Sequence, residues 1–155
     1  MKRIMQFLMV AVLLTTLTST TKAQTTNTFV SGGVSVSNAA LYENVELGQT
    51  FGKNSLSLNV STTDDVSYHR QWFGGVKYYR TVVTVSSSFD ISASGAVLIN
   101  LTDRAYLTFK PAVNLNFKLA NNVYIQGSLG SPISENSRLF SPTRLEAGAQ
   151  LVIRI

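Results

Sequence analysis

Between Ala105 and Leu119 the side chains alternate without a break. Ala105, Leu107, Phe109, Pro111, Val113, Leu115, Phe117 and Leu119 share one parity, and Tyr106, Thr108, Lys110, Ala112, Asn114, Asn116 and Lys118 share the other. A period of two is the geometry of a β-strand, whose successive side chains point to opposite faces. Strands of soluble proteins commonly run about five or six residues, whereas a tilted strand crossing a bilayer takes about 9 to 11. The length of this segment therefore predicts a membrane-crossing strand, with Leu107, Phe109, Val113, Leu115 and Phe117 turned to lipid.

The C-terminal segment repeats the pattern, with Leu145, Ala147, Ala149, Leu151, Ile153 and Ile155 on one face and Arg144, Glu146, Gly148, Gln150, Val152 and Arg154 on the other. A charged face opposite an apolar one suits a wet interior and a lipid exterior, which adds Leu151, Ile153 and Ile155 to the lipid-facing set. Shorter copies set Val30, Gly32, Val34 and Val36 against Ser31, Gly33, Ser35 and Ser37, and Leu56, Leu58 and Val60 against Ser55, Ser57, Asn59 and Ser61. The same phases collect Glu46, Lys110, Lys118, Arg144, Glu146 and Arg154 on the interior side. Buried charges need partners, and an eight-stranded barrel is just wide enough for side chains to fill. A paired network that plugs the lumen is expected there.

Turn-forming clusters at Gly52-Lys53-Asn54, Ser94-Gly95, Thr102-Asp103-Arg104 and Ala120-Asn121-Asn122 divide the runs and predict antiparallel hairpins. Two longer polar segments, Ser61 to Gln71 and Gly130 to Thr143, are expected as loops on the outer side. Counting runs gives about nine strands, whereas single-chain bacterial barrels have an even number. The surplus is expected between Trp72 and Ile91, where Lys77 and the adjacent Tyr78 and Tyr79 disturb the apolar phase and a bulge would join two runs. Pro111 is a tension of its own, because proline cannot donate to a ladder and belongs at edges or bulges. Tyr42, Trp72, Tyr78, Tyr79, Tyr106 and Tyr124 fall near strand ends, where they would suit interfacial aromatic girdles.

At the N-terminus, Lys2 and Arg3, an apolar stretch from Ile4 to Leu14, and small residues Thr21 and Ala23 before Gln24 have the three parts of a secretory signal. Residues 1–23 are read as a signal peptide and 24–155 as one domain. The apolar stretch is shorter than the roughly 20 residues that a spanning helix needs. The chain has no Cys, so neither cysteine lipidation nor a disulfide framework is available. The formal net charge of +5 is partly carried by Lys2, Arg3 and Lys22 and is otherwise dispersed. No nucleic-acid footprint follows from it.

These features together resemble the small eight-stranded outer-membrane barrels of the OmpA and OmpX kind. The resemblance runs over the whole mature chain as a pattern and is most specific at Leu145 to Ile155, which resembles the C-terminal signal for insertion. It implies an all-β, up-and-down antiparallel transmembrane barrel in the outer membrane, with outer-membrane lipid and the barrel-insertion machinery as partners. The usual terminal aromatic residue is replaced here by Ile155. The sequence around Ala23-Gln24 also resembles exported proteins of the Bacteroidota. The alternative is a soluble secreted or periplasmic β-sandwich, whose strands alternate as well. The direction of the apolar face separates the two, since a sandwich must bury Leu107, Phe109, Leu115 and Phe117.

Nothing in the sequence assembles a catalytic or cofactor motif. His69 is the only histidine, and Ser67, Asp64 and Asp65 lie near it, but closeness in sequence does not supply triad geometry. The His-x-Ser pattern of lipid A deacylase barrels is absent, since Arg70 and Gln71 follow His69. One histidine and scattered carboxylates do not make a metal site. Gly32-Gly33 and Gly74-Gly75 lie in apparent strands, where close packing explains them better than phosphate binding. The expectation is a non-enzymatic barrel without cofactors, acting in envelope integrity or through surface contacts of its loops. The sequence identifies no surface partner for those loops.

Overall fold

The computed structural model describes residues 26–37, 40–65, 68–102, 107–134 and 145–155. The expected signal peptide, residues 1–23, lies outside them. The strands are β1 (Thr26–Ser37), β2 (Ala40–Phe51), β3 (Asn54–Asp65), β4 (Tyr68–Ser86), β5 (Phe89–Asn100), β6 (Leu107–Ala120), β7 (Val123–Gly130), β8 (Ile133–Ser134) and β9 (Glu146–Arg154). From β1 to β7 each strand pairs antiparallel with the next, β7 pairs with β9, and β9 returns to β1. The two residues of β8 pair only with β6, at Thr108 and Phe109, and continue the line of β7 beyond Ser131 and Pro132. The ring therefore has eight staves and no free edge.

The register fixes the shape of the ring. Crossing from strand to strand, Thr26 pairs with Phe51, then Asn54, Arg80, Ala93, Val113, Leu129 and Ala147, and the walk re-enters β1 at Val36. That return ten residues further along β1 is the stagger of the barrel. With about 3.3 Å per residue and 4.8 Å between strands it corresponds to a strand tilt of about 40°. The two-residue turns Gly52-Lys53, Ser87-Ser88 and Asn121-Asn122 share one end with the start of β1 at Thr26 and with Ile155. Gly52 has φ 63°, the left-handed conformation that glycine adopts at no steric cost.

Because the ring is closed and each strand alternates, one parity faces inwards and the other outwards. Ser31, Glu46, Asn59, Asn114, Gln126 and Gln150 are buried, while Val34, Val45, Val113, Leu115, Leu129 and Leu151 are exposed. This inverts the usual distribution, and it excludes the sandwich. Leu107, Phe109, Leu115 and Phe117 are 46, 46, 41 and 46 % exposed, where a sandwich would bury them.

Several sequence expectations change. Ser94-Gly95 is not a turn; both residues lie inside β5, paired with Tyr79 and Tyr78 of β4. The turn is at Ser87-Ser88, and β4 runs unbroken for 19 residues. Lys77, Tyr78 and Tyr79 keep a regular register, and the irregularities lie lower, between Thr81 and Val83 and between Thr84 and Ser86. The segment from Ser61 to Gln71 is mostly strand, because β3 continues to Asp65 and β4 begins at Tyr68. Of the second expected loop, residues 130–134 belong to β7, β8 and their link, and 135–143 lie outside the described residues.

Pro111 fits the ladder for a local reason. A strand residue points its amide and carbonyl to the same side, and Pro111 O accepts from Ser131 N at 3.2 Å. Its missing N–H therefore faces the interruption between β7 and β8, where no regular ladder partner is required. Gly75 has a different role. A Cβ there would stand 1.9 Å from the Val97 carbonyl oxygen, so only glycine permits β4 and β5 to approach this closely on the inner face.

Candidate functional site in the barrel interior

The interior is organised around Glu46, which is 1 % exposed. The antiparallel register of β2, β3 and β4 sets Asn59 opposite Glu46 and Gly75 opposite Asn59. Neighbouring inward positions then supply donors. Ser57 Oγ donates to Glu46 Oε2 at 3.1 Å, Asn59 Nδ2 to Oε1 at 3.2 Å, Lys77 Nζ to Oε1 at 3.0 Å and Tyr79 OH to Oε2 at 2.5 Å. A buried carboxylate is costly unless paired and hydrogen-bonded, and here each oxygen has two donors. Lys77 Nζ also lies 4.6 Å from the centroid of the Tyr79 ring, a favourable cation–π position.

A second cluster has the same composition. Lys110 Nζ is 2.9 Å from Glu146 Oε2, Ser35 Oγ donates to Glu146 Oε1 at 2.7 Å, and the ammonium stands 4.3 Å from the Tyr42 ring centroid. Each cluster thus combines one lysine, one glutamate and one tyrosine, and their charges cancel locally.

A polar chain links the staves below these clusters. Tyr79 OH accepts from Gln150 Nε2 at 3.3 Å, and Gln150 Nε2 also bonds Gln126 Oε1. Gln126 Nε2 donates to Asn116 Oδ1 at 2.5 Å, and Asn116 Nδ2 donates to Asp90 Oδ1 at 2.6 Å. The connection runs from β2 through β4, β9, β7 and β6 to β5. An upper cavity of about 60 Å³, bordered by Glu46, Lys77, Lys110 and Glu146, and a lower one of about 50 Å³, bordered by Asp90, Tyr124 and Arg154, both adjoin it at Gln150. Asn44 Oδ1 and Ser61 Oγ line the upper cavity and are buried without a protein hydrogen bond, which places them to bond ordered water.

Of the six charged residues picked out in the sequence, Glu46, Lys110 and Glu146 belong to these clusters. Arg154 faces inwards at the short-turn end, with its guanidinium 4.1 Å from the Tyr124 ring centroid and a 3.1 Å bond to its hydroxyl. Lys118 also lies at that end, half-buried, apart from both clusters. Arg144 lies outside the described residues. Leu107, Phe109, Val113, Leu115, Phe117, Leu151, Ile153 and Ile155 are all on the outer surface. The expected aromatic girdle is only partly present, because Tyr42 and Tyr79 are buried inside and Tyr124 faces the lower cavity, whereas Trp72 and Tyr78 point outwards. Tyr106 and the side chains of Asp64, Asp65, Ser67 and His69 lie outside the described residues.

Sequence reasoning missed Lys77, Tyr79, Asn59, Gln150 and Gln126 as members of the network. The signal was present for four of them, since Asn59 and Gln150 fall on the polar phases of their runs, and Phe73, Gly75, Lys77 and Tyr79 share one parity once β4 is read as a single strand. Among the described residues, no group of three His, Cys, Asp or Glu is placed to hold a metal ion.

A closed eight-stranded antiparallel barrel with a polar interior and an apolar exterior is the fold of small transmembrane β-barrels. Similar solved structures belong to that class. A de novo designed transmembrane β-barrel superposes with a TM-score of 0.56 at 10 % identity, over 83 % of this chain and 95 % of that one. Neisserial surface protein A superposes with a TM-score of 0.53 at 6 % identity, over 84 % of this chain and 96 % of its own. No family model matches the chain, and no curated protein matches it.

Proposed function

We propose that this chain is a non-enzymatic barrel of a bacterial outer membrane, anchored by its outward side chains and plugged by its interior network. Its role is in envelope integrity or in surface contacts made by the β3–β4 hairpin and the segment after β7. The observation that carries this reading is the inversion of polarity: Glu46 is 1 % exposed inside, while Val45 and Leu47 beside it are 60 and 54 % exposed outside. Water outside such a surface would leave a continuous apolar patch far larger than a soluble monomer normally shows, whereas lipid removes that cost. The long β4, which begins at the end opposite the two-residue turns, supports contact at the face where longer loops of bacterial barrels lie.

The plug is tested with purified protein in planar bilayers. The reading predicts no appreciable steady conductance, and the hydrogen-bonded side chains of Tyr79, Gln150 and Gln126 across the interior support it. A stable open-channel conductance would overturn the plugged lumen and leave the membrane fold standing.

A further inference from the structure

The apolar belt is not of equal height around the barrel. On β6 the outward positions from Leu107 to Leu119 are apolar throughout, a run of about 30 Å measured along the barrel axis. On β2 the outward residues Glu43 and Gln49 interrupt the apolar face, with Val45 and Leu47 between them and Leu41 and Phe51 beyond, so the uninterrupted apolar run there is limited to about 15 Å. The two adjoining strands narrow in the same way. Asn54 and Thr62 bound the central outward run of β3, and Arg80 interrupts that of β4 above the exposed Val82, Val83 and Val85. These polar groups are exposed or held on the outer wall. Glu43 and Arg70 form a 2.8 Å ion pair with side chains 54 and 50 % exposed, and Tyr78 OH donates to Asn54 Oδ1 at 2.6 Å on the outer surface.

We infer that the β2–β4 face is a lipid-contacting surface fitted to a bilayer thinner than the one the β5–β9 face spans, so that the membrane is locally thinned on one side of the barrel. This inference rests on the outer-membrane reading above. A hydrocarbon layer of about 25 Å matches the β6 side; on the β2 side it would submerge Gln49 and Arg80 at one edge or the Glu43–Arg70 pair at the other. Tilting does not relieve this, because polar residues enter the outward face of β2 on both sides of Val45 and Leu47. Local thinning does relieve it. A second copy of the chain is a poor occupant. Two barrels inserted in the same direction and related by an axis along the membrane normal would set Glu43 against Glu43 and Arg80 against Arg80, and like charges in an interface repel.

The test is refolding of the mature chain into vesicles of dilauroyl and of dioleoyl phosphatidylcholine, with unfolding rates compared between the two. The protein is expected to unfold about tenfold faster in the thicker bilayer, and the triple variant Glu43→Leu, Gln49→Leu, Arg80→Leu is expected to lose most of that ratio. An equal ratio for both chains overturns the thinning and leaves the membrane reading intact, and failure of the wild-type chain to insert into either vesicle overturns both. Should the triple variant not fold, depth-dependent quenching by spin-labelled lipids gives the answer from the single tryptophan. Trp72 lies on the narrow face, and the stagger of the barrel brings Leu107 to about the same height on the broad face. Trp72 is expected to report a shallower position than the tryptophan of the variant Trp72→Phe, Leu107→Trp, and equal depths would overturn the inference.

Discussion

Tyr79 donates a 2.5 Å hydrogen bond to Glu46, although 33 residues separate them in the chain. The contact spans three staves and exists only because two successive hairpins bring β2, β3 and β4 into register. The Gly52-Lys53 turn is short and local, but the buried carboxylate on β2 is stabilised by residues from two further strands, Ser57 and Asn59 on β3 and Lys77 and Tyr79 on β4.

Removing that carboxylate should therefore cost more than removing the pair. Glu46→Ala leaves the Lys77 ammonium buried without its counter-charge, and a loss of about 3 to 5 kcal/mol is expected from breaking one side of a buried pair. Glu46→Leu combined with Lys77→Met should be clearly milder. Urea unfolding of the refolded barrels in lipid vesicles measures both, and a double variant as unstable as the single one would contradict the assignment.

Lys110 and Glu146 are more accessible, with side chains 17 and 14 % exposed. A double-mutant cycle with Lys110→Met and Glu146→Gln should give a coupling energy of about 0.5 to 3 kcal/mol, the range for residues in one network. The same cycle between Lys110 and Glu46, which no direct bond joins, should give a smaller coupling.

The outer surface gives a depth-dependent prediction. Val113 lies midway along the outward run of β6 and Leu119 at its end. Val113→Arg should destabilise the barrel in vesicles by about 2 to 4 kcal/mol, and Leu119→Arg by about 0 to 1 kcal/mol. Equal penalties would show that the outer wall does not meet lipid in this orientation.

Two glycines should respond in opposite ways. Gly75→Ala places a methyl against the Val97 carbonyl, while Gly127→Ala meets nothing within 4 Å. The first should lower the folded fraction strongly and the second hardly at all, read as the heat-sensitive band on an unboiled gel.

Much of this architecture was legible because alternation is a local signal. The phase of Leu107 to Phe117 identified the outer wall of β6 without any knowledge of its neighbours, and Glu146 was placed inside by the same argument. Other features depended on register and were not legible. Gly95 read as a turn because glycine in a strand and glycine in a turn look alike in sequence, and only its pairing with Pro111 and Tyr78 places it mid-strand. The surplus strand had a related cause. The irregularities of β4 fall after Thr81 and not at Lys77, and the ladder break beside Pro111 splits β8 from β7. The partners of Glu46 required the stagger of the whole ring, which no single run of residues encodes.

The most direct test of the account is to express the chain with its N-terminal segment in a bacterial host, separate the membranes, extract the outer-membrane fraction with detergent, and compare boiled with unboiled samples by gel mobility. The account predicts recovery in that fraction and a heat-dependent mobility shift, as expected of a closed barrel that resists detergent until heated. Recovery as a soluble protein without detergent, and with no shift on boiling, would contradict it.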